Sequence, residues 1–475
     1  MCLRQLAQCR VAREAQYGRF LANERVTVSK VIEGWGDRTQ HAVAGRHVLA
    51  IQDTSEFKFA TTPANRRGLG KVKKGKSHGV LLHAMIAVDA DNGALLGLVS
   101  GDVWTRSAEA AAPHAKRPLA DKESRRWPDT VDSARPVLAA AAGVTVVNDR
   151  EGEFFAHWCR TPADNVHLLT RLMNDHPVVE GGTVRDAIAG RPLAGAIHIE
   201  LRERHDRPAR SADLELRFGT MLIKRPANTI ERDLPEHRPV SVVEVREPNP
   251  PDGAEPVHWI LLTSHPVETF DQACRIVDWY RCRWTIEQFF RTLKRQGMRV
   301  EDSQITQADR LCKIVAIAAK AAAIVMMLVH ARDGTSLQPA TAALSADQIS
   351  FVEKLNLKIQ GKTARQRNPH PPASMAWAAW VIAKLGGWHE YQAKPPGPIT
   401  FYNGLRYFNA AFEGWKLNDV LIPSHSNGEG LGYRAGARMW PSASRSRPAW
   451  AFCSRVPPRR GLISKIWTRP SSAIL

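Results

Sequence analysis

Two apolar runs rich in β-branched residues, VLAIQDTSEF (48–57) and VTVVNDREGE (144–153), each terminate in an aspartate. A run of this kind reads as a buried strand. Asp53 and Asp149 therefore stand at the carboxyl ends of two strands. Between them, GVLLHAMIAVDADNGALLGLVSGDVWTR (79–106) supplies two more β-rich runs around DADNG, a strong hairpin signal. Residues 121–142 turn helical, with a charged start and the Ala-rich stretch ARPVLAAAA.

A third acid comes from a different pattern. Within YRCRWTIEQFFRTLKRQG, the residues Tyr280, Arg283, Glu287 and Lys294 repeat as Tyr-x2-Arg-x3-Glu-x6-Lys. On one helix these positions fall within roughly 60° of each other, so a phenol, an acid and two bases share a face. Trp284, Phe289 and Phe290 lie on other sides, which makes the helix partly buried and turns its polar stripe toward a cleft. A solvated face with Glu287 paired to Arg283 or Arg291 gives the same pattern.

The segment between the second aspartate and this helix alternates short β-like runs, AIHIELR, ADLELRF, VSVVEVRE and HWILLTS, with Pro, Gly and Asn. Residues 164–270 thus read as all-β. Helices resume at Asp271 and continue to about His330, and proline breaks bound a further helix at 375–387. NRRGLGKVKKGKSHG (65–79) reads as a basic, mobile loop. After Pro423 no apolar period survives, and Arg, Ser, Pro and Gly dominate.

The chain of 475 residues carries 66 Lys+Arg against 47 Asp+Glu, a net +19 that favours a polyanionic partner, nucleic acid first. The stretch 423–475 holds nine Lys+Arg and one Glu, so it contributes +8 and the rest of the chain +11. Seven scattered cysteines without a C-x-x-C pair argue for reduced thiols and against a zinc module. MCLRQLAQCRVAREAQ lacks the sustained apolar stretch of a secretory signal. IVAIAAKAAAIVMMLVH (314–330), interrupted by Lys320, reads as a buried helix, so no membrane partner is expected and the chain is expected in the cytoplasm.

Asp53, Asp149 and Glu287 together suit hard divalent cations, which take oxygen ligands and keep several waters. Two such ions about 3.5–4 Å apart activate an attacking oxygen and stabilise the leaving one in phosphoryl transfer. Taken singly, Asp53 also suits a turn cap and Asp149 a loop ion pair.

The combination resembles the DDE transposases of bacterial insertion sequences, in the insertion-sequence-four family and its transposon-five-like branch, whose signature is Tyr-x2-Arg-x3-Glu-x6-Lys. IQDTSEF and NDREGE are similar to the two Asp elements of that family. KESRRW (122–127), RPAR (207–210) and HWILLTSHPVE (258–268) follow in the family's order, and the resemblance covers about Arg13 to Trp415. It implies an α/β fold with a ribonuclease-H-like catalytic core (48–160 and 271–335), a large β-rich insertion (161–270), a C-terminal helical region (336–422) and a basic, disordered tail (423–475). Residues 1–47 resemble only the last part of the family's N-terminal helical DNA-binding domain.

By position, the resemblance makes Asp53, Asp149 and Glu287 catalytic and the ligands of two Mg²⁺, with Mn²⁺ able to substitute. Tyr280, Arg283 and Lys294 would grip phosphates, Trp259 would stack on an extruded base, and Arg150, Arg171 and Arg210 would lie near DNA. The implied activity is metal-dependent cleavage at transposon ends and strand transfer into target DNA, cut-and-paste through a hairpin. Its partners are double-stranded DNA, as terminal inverted repeats and target, and a second copy of the chain on that DNA. A metal-dependent nuclease and a non-enzymatic DNA-binding inhibitor are the alternatives.

Overall fold

The computed structural model describes residues 3–7, 9–60, 68–72, 77–106, 117–201, 208–336, 338–392 and 394–421. Their strands are β1 (His47–Lys58), β2 (Gly70–Lys71), β3 (His78–Asp89), β4 (Leu95–Trp104), β5 (Gly143–Val147), β6 (Val166–Arg171), β7 (Gly195–Leu201), β8 (Arg210–Lys224), β9 (His237–Arg246) and β10 (His258–Thr263). All ten share one sheet, in the order β2-β3-β1-β5-β6-β10-β9-β8-β7, with β4 also on β3. β4, β3 and β1 run antiparallel, whereas β1, β5 and β6 are mutually parallel. The first apolar run is β1, whose residues from Val48 to Gln52 have no exposed surface because strands flank it on both edges and helices cover both faces.

Side-chain alternation divides β1 between two cores. Leu49 and Ile51 pack on the face covered by α8 (Phe270–Arg281), α9 (Trp284–Lys294) and α10 (Ala308–Ala331). Val48 and Ala50 pack on the opposite face, against α5 (Arg126–Leu138), α6 (Phe155–Arg160) and α7 (Val184–Ala189). The same alternation sends Asp53 toward α9 and its neighbours Gln52 and Thr54 toward α5. The remaining helices are α1 (Leu3–Leu6), α2 (Val11–Ala22), α3 (Val28–Glu33) and α4 (Thr39–Ala42) before the sheet, and α11 (Ala346–Ile359), α12 (Met375–Leu385) and α13 (Pro398–Leu421) after it.

The DADNG turn joins β3 to β4, with Gly93 at φ 70° and the Asp89 carboxylate accepting from the Asp91 N–H at 2.9 Å. Its left-handed φ is the conformation for which glycine pays no Cβ penalty. β6 falls inside the segment 161–270, yet it occupies the free edge of β5 as a parallel strand, and β10 to β7 continue the same sheet outward from it. The β-rich segment therefore extends the central sheet. α10 has the length and apolarity of a membrane-crossing helix, but 72% of its most apolar window is buried within the fold.

One compact unit runs from Met1 to Asn418, and of the second, Asp419–Leu475, only residues up to Leu421 are described. The basic tail at 423–475 lies outside the described residues, as do 65–67 and 73–76 of the expected 65–79 loop, whose described part carries β2 and the start of β3.

Gly101 on β4 tests how closely the strands meet near the acids. A Cβ there would stand 2.4 Å from the His83 carbonyl oxygen and 2.8 Å from the Trp35 ring. We expect Gly101→Ala to cost about 1–3 kcal/mol in chemical denaturation, the usual penalty of overpacking.

Candidate active site

Asp53 and Asp149 are neighbours because their strands are. In the parallel ladder of β1 and β5, Ile51 pairs with Val147, and each strand places an aspartate two residues further on. Asp149 caps the short 3-10 turn Arg150–Gly152, its Oδ1 accepting from the Glu151 N–H at 2.8 Å. Asp53 Oδ1 accepts from the Thr54 N–H at 2.7 Å. Burial, and then the negative charge of Asp149, push the Asp53 carboxyl well above the usual carboxylate range, against the pull of Arg283. Burial first and Asp149 second also raise Glu151.

The Tyr-Arg-Glu-Lys stripe spans two helices. α8 closes at Arg281 and α9 opens at Trp284, with Tyr280 on the first and Arg283 at the cap of the second. The single helix expected from sequence is interrupted by a tightened turn, in which Arg283 N–H bonds Tyr280 O at 3.0 Å and Thr285 N–H bonds Cys282 O at 2.9 Å. Both Cys282 and Arg283 keep right-handed helical dihedrals, so the stripe survives the break.

Arg283 is the hub of the site. Its Nη2 donates to Glu287 Oε1 at 2.5 Å, and its Nη1 lies 3.8 Å from Asp53 Oδ2. The side chain is 9% exposed, so this cation is largely dry. Burial by itself would lower its affinity for a proton, but Tyr280, Glu287 and Asp53 outweigh it and hold the guanidinium charged. The i,i+4 pairing of Glu287 with Arg283 is therefore real, and it faces Asp53 and not open solvent.

Around this hub lies a rim of aromatic and basic groups. The Trp259 ring on β10 meets Tyr280 edge-on, with centroids 5.8 Å apart and planes at 61°. Burial raises the Tyr280 phenol, opposed by Arg283 and Arg171. Arg171 at the end of β6 donates to the His258 carbonyl at 2.9 Å; burial lowers its pKa, and the nearby charge of Arg150 adds to the effect. Tyr280, Arg283, Trp259, Arg150 and Arg171 thus gather beside the acids.

Lys294 and Arg210 are placed differently. Lys294 Nζ donates to Ser55 Oγ at 2.7 Å and lies 5.1 Å from the centre of the Phe57 ring, so it grips β1 beyond Asp53; burial lowers its pKa. Arg210, at the start of β8, forms a two-pronged pair with Glu247 and has no contact with the acids. The KESRRW motif secures the end of β4: Arg126 donates to Asp102 at 2.7 Å and stacks 3.7 Å from the Trp104 ring centre, while Glu123 accepts from Arg106 and Trp104.

Sequence reasoning missed the residues beneath the acids: Gln52, His83, Asn148 and His157, all fully buried. The available signal was an amide immediately before each aspartate, Gln52-Asp53 and Asn148-Asp149. Among the described residues, no three His, Cys, Asp or Glu side chains are grouped closely enough to hold a metal ion as they stand.

The family model described as "Transposase DDE domain" matches residues 44–324, from the start of β1 into α10. Among solved structures, the chain is similar to that of the piggyBac transposase synaptic complex with hairpin DNA, at 7% sequence identity and a TM-score of 0.35. That likeness covers 82% of this chain and 57% of the other.

Proposed function

We propose that this chain, which belongs to the transposase DDE-domain family, is a DNA transposase that cleaves transposon ends and joins them to target DNA by phosphoryl transfer at Asp53, Asp149 and Glu287. The observation that carries this reading is the parallel register of β1 and β5, which stands two aspartates side by side opposite the glutamate of α9. The strand order β4-β3-β1-β5-β6, three antiparallel strands followed by two parallel ones, supports a ribonuclease-H-like core. The Tyr-x2-Arg-x3-Glu-x6-Lys spacing supports the insertion-sequence-four branch, and with it cut-and-paste movement through a hairpin by a dimer on the DNA.

The donor set fits Mg²⁺. All three side chains offer hard oxygen ligands, and the burial and the repulsion from Asp149 that raise Asp53 are what a bound cation offsets. Asp53, Asp149 and Glu287 would hold two ions, Mg²⁺ or Mn²⁺, whose chemistry is Lewis-acid activation of the attacking oxygen and stabilisation of the leaving one. The rest falls to the chain. Arg283 sets a positive charge between Glu287 and Asp53, and its largely dry guanidinium has the fork geometry that suits a phosphate. Trp259, whose ring meets Tyr280 edge-on, would stack on an unpaired base, an interaction worth roughly 1–3 kcal/mol. Arg150 and Arg171 add positive charge along the approach.

The test is incubation of the purified chain with a duplex bearing the element's terminal repeat, with Mg²⁺, Mn²⁺ or EDTA. Nicks ending in a 3′-hydroxyl, dependent on the ion, support the reading. DNA binding without nicking would leave the non-enzymatic inhibitor in its place, and nicking without strand transfer the simple nuclease.

Lys294 separates binding from chemistry. We expect Lys294→Ala to weaken DNA binding and to reduce the dependence of log K on log salt by about one unit, as loss of one phosphate contact requires. Measuring affinity over a salt series checks this; an unchanged slope would assign Lys294 to bracing β1 through Ser55.

A further inference from the structure

Behind each aspartate, on the α5 side of the sheet, lies the same three-residue chain of hydrogen bonds. Behind Asp53, His83 Nε2 donates to Gln52 Oε1 at 3.1 Å, and its Nδ1 accepts from the Thr54 hydroxyl at 2.7 Å. Gln52 Nε2 in turn reaches the Trp127 carbonyl at 3.3 Å, and the His83 ring meets the Trp127 ring edge-on at 4.8 Å. Behind Asp149, Asn148 Nδ2 donates to His157 Nε2 at 2.9 Å, and His157 Nδ1 donates to Thr161 Oγ1 at 2.7 Å. In both chains an amide just before the aspartate bonds a histidine, and that histidine bonds a threonine.

These chains are buried and fully neutral. Gln52, His83, Asn148 and His157 have no exposed surface. Burial first, and then the Arg126 charge for His83 or the competing protonation of His83 for His157, lowers both imidazoles to about 3, so each ring acts as a fixed one-donor, one-acceptor link. Buried polar side chains are costly compared with apolar ones of the same shape. Asn148 is the sharper case, because its Oδ1 is buried without a hydrogen-bond partner. Room for that amide depends on Gly152, where a Cβ would stand 2.7 Å from Asn148 Cβ and 2.8 Å from the Trp127 ring. Neighbouring side chains on a strand point to opposite faces, so fixing Gln52 or Asn148 on one face fixes the backbone from which the aspartate projects on the other.

We propose that His83 and His157 are positioning residues that hold Asp53 and Asp149 from the reverse face of the sheet, each through the amide that precedes the aspartate. The inference rests on the reading of Asp53 and Asp149 as the reacting end of the sheet, but its geometric content stands apart from activity.

The experiment compares crystal structures and activities of wild type, His157→Gln and His157→Asn. Glutamine places a polar group near Nε2 and keeps the link to Asn148, whereas asparagine places one near Nδ1 and keeps only Thr161. We expect the Asp149 carboxylate to shift by about 1 Å in H157N and to stay in H157Q, with cleavage turnover falling about 10²-fold in H157N while KM for the DNA is unchanged. Asn148→Ala cuts the same link from the other side and replaces H157N should that variant not fold. An Asp149 carboxylate unmoved in both H157N and N148A, or displaced equally in H157Q and H157N, overturns the proposal whatever the activity. Mn²⁺ titration of the same proteins isolates the underlying reading: no saturable binding to wild type, with Asp149 displaced in H157N, would sink the metal site and leave the positioning role intact.

Discussion

Glu287→Gln is expected to lower DNA cleavage by at least about 10³-fold, the rate equivalent of the several kcal/mol that metal-borne charge stabilisation supplies. The substitution keeps the size and the hydrogen-bonding oxygen of the side chain but removes its charge. Folding should change less than on loss of Arg283, since the glutamine oxygen still accepts from Arg283, Asp53 at 3.8 Å still offsets the guanidinium, and Glu287 is itself partly exposed, with its side chain 22% accessible. DNA affinity should also hold, because the proposed role of Glu287 is that of a metal ligand and not of a phosphate clamp. Single-turnover cleavage and a filter-binding titration on the same preparation check both halves. Equal losses of cleavage and of binding would move Glu287 from the chemistry to the DNA contact, and undiminished cleavage would remove it from the site.

The second large effect belongs to Arg283. Removing one partner of a buried ion pair typically costs about 3–5 kcal/mol, because the charge left behind is neither solvated nor compensated. Arg283 serves two carboxylates, Glu287 by a direct hydrogen bond and Asp53 at 3.8 Å. Arg283→Met should therefore destabilise the metal-free protein by about 3 kcal/mol, the lower end of that range, since Glu287 keeps some contact with water. Addition of Mg²⁺ should return part of the loss, because a cation bound at the acids replaces the missing positive charge. Asp53→Asn should relieve part of it too, and the double mutant should be more stable than the sum of the single changes allows. Urea unfolding with and without Mg²⁺ measures all of these. A variant as stable as wild type would show that the Asp53 and Glu287 carboxylates do not depend on this guanidinium.

Much of the site was legible because its parts are local. An apolar run ending in Asp reads directly as a strand with an acid at its end, and β1 and the strand before Asp149 lie where VLAIQDTSEF and VTVVNDREGE place them. The DADNG hairpin was equally plain. The break between α8 and α9 was hidden because neither Pro nor Gly marks it, and Cys282 and Arg283 retain helical dihedrals through the tightened turn. Joining of β6 to β5 could not be read either, since parallel pairing is set by crossovers and not by the strand's own residues. The same holds for long-range side-chain partners. His83 lies 31 positions from Gln52, and Arg210 meets Glu247 across 37 positions, so periodicity and spacing had no hold on them. Arg210, which the resemblance puts near DNA, is such a case: its pairing with Glu247 is visible only in the fold.

The split between local and distant signals also explains the character of the site. Its acids come from strand ends and a helix face, which sequence patterns record, while the contacts of Arg283 in front and of the two imidazoles behind are assembled only by the fold. In the proposed site, support from both sides would fix the carboxylates before any ion or DNA arrives, the pre-organisation that phosphoryl transfer depends on.

The most direct test of a shared metal site for DNA phosphoryl transfer is anomalous diffraction from crystals of the chain bound to DNA and Mn²⁺. Manganese peaks in coordinating contact with the carboxylates of Asp53, Asp149 and Glu287, beside a DNA phosphate, are the predicted result. Peaks elsewhere, or none at these acids at saturating Mn²⁺, would contradict it.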